Sequence, residues 1–66
     1  MDNKKIGERL KALRGKKTQA EVAQALGITQ AAYCLYETGQ RIPRDPLKKR
    51  IADYYHRSVN TIFFAD

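Results

Sequence analysis

Residues 18–40 read TQAEVAQALGITQAAYCLYETGQ, and the parsing of this stretch decides the fold. Thr18 followed three places later by Glu21 is a capping box, in which the threonine hydroxyl accepts from the amide of Glu21 and the carboxylate reaches back to the cap's own amide. A helix therefore starts at Gln19. Gly27, free to take the left-handed backbone of a helix stop, ends it. Only Ile28 separates Gly27 from Thr29, which can cap again, so a further helix runs from roughly Gln30 to Thr38 and stops at Gly39.

Two short helices joined by so tight a turn form a helix-turn-helix, whose second helix can enter a DNA major groove. That shape makes demands on its core. Apolar side chains are needed where the helices face each other, and Val22, Leu26, Ile28, Tyr33 and Tyr36 supply them. A small residue is needed at the close crossing, where Ala23 stands, and a glycine suits the turn, where Gly27 stands.

Upstream, Ile6, Leu10 and Leu13 make the apolar stripe of an amphipathic helix, with Asp2 or Asn3 as cap and Gly15 as stop. Downstream, QRIPR reads as a loop. Asp45 then caps a fourth helix with Pro46 at its first position, where the missing N–H costs nothing. Its stripe is Leu47, Ile51, Tyr54 and Tyr55, with Lys48, Lys49 and Arg50 on other faces, and His56 and Arg57 break it. Ser58 caps a last short helix with Val59, Ile62 and Phe63 as apolar positions. Strand alternation and architectural repeats are absent from the sequence. The expected fold is all-α, five short helices in a single domain spanning 1–66.

The chain has 66 residues, 13 Lys and Arg, and 7 Asp and Glu. So short a chain has a thin core, and self-association would help it. A lone cysteine, Cys34, rules out an internal disulfide, and with His56 the only histidine there is no cysteine–histidine zinc cage, so no metal or cofactor is expected. A reducing, cytoplasmic location fits. No apolar run approaches the ~20 residues of a membrane span, and MDNKKIGERL lacks the apolar stretch of a secretory signal. Catalysis would need Cys34, His56 or Ser58, yet no nucleophile, base and orienting acid can be placed together, so no catalytic residue is assigned.

The charge is unevenly spread. Residues 1–17 carry a net +5, residues 18–40 a net −2 with no Lys or Arg, and residues 41–66 a net +3. Bases are read by amides, hydroxyls and methyls, whereas phosphates are held by cations, and a neutral centre with basic flanks suits that division. Lys16, Lys17, Arg41 and Arg44 are the expected phosphate contacts, with Lys4 or Lys5 as further candidates. Each cation alone also fits a solubilising role.

In RLKALRGKKTQAEVAQALGI, YETGQRIP and IADYYHRSVNTIFF, which together reach from Arg9 to Phe64, the chain resembles the lambda-repressor-like helix-turn-helix regulators, the XRE or Cro and phage-repressor type. The resemblance runs from about Ile6 to Phe64 and implies that family's five-helix fold and DNA-binding function. It implies that Gln19 reaches a phosphate and braces the first residue of the next helix, Gln30. It implies too that Gln30 reads a base edge, to which its amide can both donate and accept. Thr29, Ala31, Cys34 and Leu35 share the groove-facing side once Tyr33 and Tyr36 point inward, and Ala31 or Leu35 can touch a thymine methyl. Thr18 and Gln40 join the phosphate contacts. Arg14 and Glu37 match the family's internal ion pair. Thr38 and Gln40 depart from the usual Asn and basic residue, and Asp45 and Lys48 stand where aliphatics are common.

The expected function is that of a sequence-specific double-stranded DNA-binding transcriptional regulator, a repressor. It would bind as a homodimer through Phe63 and Phe64, although Phe63 also fits the core, with no small-molecule ligand and no membrane. The rival is a protein-binding adaptor or antirepressor of the same fold that uses Leu35 and Cys34.

Overall fold

A computed structural model describes residues 3–65, so Asp2, one of the two expected caps of the first helix, lies outside the described residues. The elements are α1 (Asn3–Arg14), α2 (Gln19–Leu26), α3 (Gln30–Glu37), α4 (Asp45–Tyr54) and a π-helical turn, Asn60–Phe64. The described residues contain no strand. The fold is therefore the expected all-α arrangement, with α2 and α3 as the helix-turn-helix.

The central caps form as the local sequence dictates. Thr18 Oγ1 accepts from the Glu21 amide at 3.0 Å and Thr29 Oγ1 from the Ala32 amide at 3.1 Å. The Glu21 carboxylate takes up the Thr18 hydroxyl at 3.4 Å, where the expected capping box places it on the cap's own amide. Gly27 sits at φ 73°, ψ 31°, and the Ile28 amide closes back onto the Ala23 carbonyl at 3.0 Å, the bond pattern of a left-handed helix stop.

Ile6, Leu10, Val22, Leu26, Tyr33, Ile51, Ile62 and Phe63 form the centre of one core shared by all five elements. Ala23 is buried in that core. Two backbones meet closely between α1 and α3. A Cβ on Gly7 would come within 2.2 Å of the Glu37 carbonyl oxygen, so only glycine lets the two backbones meet. Nothing in the local pattern around Gly7 points to this contact.

Several expectations shift. Asn3 is the first residue of α1, not a cap before it. The Thr38 end of α3 becomes its C-cap, one residue early. The cap of α4 is Arg44, because its carbonyl takes the Lys48 amide at 2.9 Å, which puts Asp45 first and Pro46 second in the helix. Proline has no N–H to lose at either position in the first turn. Lys48 is not on an outer face. It is buried, its ammonium 5.9 Å from the Phe63 ring centre and 5.1 Å from that of Phe64, and it pairs with Asp45 at 3.3 Å. A lysine stem covers apolar rings while its head stays near water, which lets Lys48 stand where an aliphatic residue would. Phe63 is core, leaving Phe64 as the exposed large hydrophobic of the chain's end.

Candidate nucleic-acid interface

The outward face of α3 is what remains after its inner side is committed. Tyr33 and Tyr36 are buried, and the two buried hydroxyls of Tyr33 and Tyr55 share a 2.7 Å hydrogen bond. Burial, then that bond and the nearby carboxylate, push the Tyr33 phenol far above its ordinary value. Burial likewise raises Tyr55, so both phenols stay neutral at physiological pH.

Glu37 closes the inner side. Its carboxylate receives Arg14 Nε at 2.6 Å and Nη2 at 3.2 Å, a two-pronged pair, and Gln19 Nε2 at 3.0 Å. One carboxylate thereby joins the end of α1, the start of α2 and the end of α3. Burial disfavours its charged form, but the bonds from Arg14 and Gln19, the charge of Arg14 and the Tyr33 hydroxyl outweigh that and hold its pKa below the ordinary value. Arg14 also donates to the Lys17 carbonyl at 2.6 Å, fixing the turn that leads into α2. The Gln19 amide nitrogen is thus engaged with Glu37 at the start of α2.

On the other side, Thr29, Gln30 and Ala31 are exposed and Cys34 and Leu35 half-buried, forming a strip without charge. Thr38 Oγ1 folds back to the Cys34 carbonyl at 2.9 Å and receives Gln40 Nε2 at 3.1 Å. Lys16, Lys17 and Thr18 are exposed before α2, and Arg41 and Arg44 are exposed after α3. Among the described residues, Arg41 and Arg44 have no side-chain hydrogen-bond partner, whereas Lys17 donates to the Tyr54 hydroxyl at 3.1 Å and lies over its ring.

Sequence reasoning passed over Arg50. Its guanidinium hydrogen-bonds the Leu26 carbonyl at the end of α2, next to the Gly27 turn, where a cation suits the exposed carbonyls of a helix C-terminus. The sequence shows only a basic residue off the apolar stripe of α4, which specifies no target.

Among the described residues no three or more His, Cys, Asp or Glu side chains are grouped as a metal would require, and no helix is long and apolar enough to cross a membrane. With a tight two-helix unit, an outward uncharged strip and cationic flanks in place, the class is that of helix-turn-helix DNA-binding regulators. The helix-turn-helix domain family model matches residues 5–62, and the chain belongs to that family. Comparison with curated proteins and with solved structures finds no match.

Proposed function

We propose that this chain, one domain over 1–66, is a sequence-specific regulator of transcription that places α3 in the major groove of duplex DNA and acts as a repressor in the cytoplasm. The observation that carries the reading is the outward strip of Thr29, Gln30, Ala31, Cys34 and Leu35, uncharged and set between the exposed cations Lys16, Lys17, Arg41 and Arg44. Gln30 at the first turn of α3 reads a base edge, and Ala31 and Leu35 meet thymine methyls. Thr18, Gln19 and Gln40 complete the strand contacts. Gln19 does so from a side chain already held by Glu37, so that its position is set before DNA arrives. Arg14 and Glu37 hold the unit together without touching DNA.

The longest dimension of the chain is 27 Å, short of the ~34 Å between half-sites one helical turn apart. Two copies related by a two-fold axis span that distance, and Phe64, 51% exposed, is the apolar contact we assign between them.

Salt dependence tests the reading. Duplex affinity should fall steeply and linearly on logarithmic axes as salt rises, with Arg41→Ala lowering the slope by about one and weakening all sequences alike. Affinity indifferent to salt would favour the adaptor reading instead.

A further inference from the structure

Beside the reading face, the loop after α3 and the start of α4 enclose a groove of about 650 Å³ against the α2–α3 turn. Its floor is apolar, formed by Ile28, Ile42 and Leu47, each half-buried against the core and half open to the groove. Its rim carries three guanidiniums, from Arg41, Arg44 and Arg50. Arg50 is held in place by the Leu26 carbonyl, while Arg41 and Arg44 are uncommitted among the described residues.

A DNA strand would use the rim alone. Phosphates need cations and N–H groups, and a sugar–phosphate backbone has no side chain with which to fill an apolar floor. The floor also distinguishes the groove from a bare basic patch. Charge and apolarity together fit a peptide chain with an aliphatic side chain between carboxylates. The aliphatic group would cover Ile42 and Leu47, and the carboxylates would take the two-pronged hydrogen bonds that guanidinium offers.

From this complementarity we infer that the groove docks an acidic protein segment carrying an aliphatic anchor. Since Arg41 and Arg44 are also the phosphate contacts proposed above, an occupied groove and bound DNA exclude each other, a consequence that rests on that earlier reading. The docking itself does not.

The test uses the full chain and two fluorescein-labelled peptides, EELEELE and EESEESE, equal in charge and differing only in the aliphatic residues. EELEELE should bind about tenfold more tightly by fluorescence anisotropy, roughly what burying one leucine provides. Ile42→Ser, in a loop, should erase the difference between the peptides, and Arg44→Ala should weaken both. Thermal melting confirms that each variant is folded, and the comparison of peptides on the unaltered chain stands even if one is not.

Equal binding of the two peptides would overturn the inference, as would a leucine preference that survives Ile42→Ser. If the peptides bind alike while Arg50→Ala weakens duplex binding, the groove is a seat for a DNA strand and the inference is equally overturned. Competition is read separately. EELEELE that binds the groove yet fails to displace duplex would leave the docking standing and count against the phosphate roles of Arg41 and Arg44.

Discussion

The two faces of α3 share eight residues and one backbone, yet they are built on opposite terms. On the inner face Tyr33 bonds Tyr55, and Glu37 holds Arg14 and Gln19 across three helices. On the outer face Gln30 and Ala31 stand in solvent, with no charge between them and Cys34. The difference teaches how so small a chain divides its labour. Positional precision is built inside with charged and aromatic groups, which leaves the outside free to vary in residue type without loss of fold. Changes on the inner face should therefore break stability, and changes on the outer face should alter only recognition.

The largest effect should come from Arg14→Ala. The Glu37 side chain is 3% exposed and Arg14 17% exposed, so removing the arginine strands a buried carboxylate, at a cost of about 3 kcal/mol in chemical denaturation. Glu37→Ala should cost less, because the freed guanidinium reaches water. Equal losses would show that burial is not what sets the asymmetry.

Next is Gly7→Ala, whose Cβ meets backbone that cannot rotate away. Overpacking of this kind costs about 1–3 kcal/mol, and the upper end is expected here, read as a lowered melting temperature.

Tyr55→Phe leaves the Tyr33 hydroxyl buried without its partner, a loss of about 1–3 kcal/mol. The same pair sets the alkaline limb of stability. Both phenols titrate above their ordinary value of 10.0, so their contribution is whole below that pH and is lost as pH rises beyond it. The double Phe variant should flatten that limb. Glu37 governs the acid side with the opposite sign. Its folded value lies below the ordinary 4.5, so its contribution is whole above 4.5 and fades as pH falls through the lower value, a slope that Glu37→Gln should remove.

The division between faces also explains what could be read in advance. The caps at Thr18 and Thr29, the stop at Gly27 and the inward Tyr33 and Tyr36 depend on residues within a turn or two of one another, and periodicity reveals them. Gly7 is fixed by the Glu37 carbonyl thirty residues away, and Lys48 by the rings of Phe63 and Phe64, which come from a later segment. Local pattern carries no trace of such meetings. The cap of α4 fell on Arg44 instead of Asp45 because proline is tolerated at either of the first two helical positions and therefore marks the turn without marking the residue. At the interface the uncharged strip was legible as a gap in charge. The use of Gln19 and Arg50 was not, since both are assigned by the tertiary partners Glu37 and Leu26.

The smallest effect on stability and the most informative one on function should come from Gln30→Ala. An exposed side chain with no hydrogen-bond partner among the described residues changes folding by no more than about 0.5 kcal/mol. Selection of bound sites from random duplexes, run on the chain and on this variant, tests the central claim directly. If α3 reads bases through its uncharged strip, the selected consensus loosens at one position per half-site while nonspecific affinity holds. An identical consensus from both proteins would contradict it.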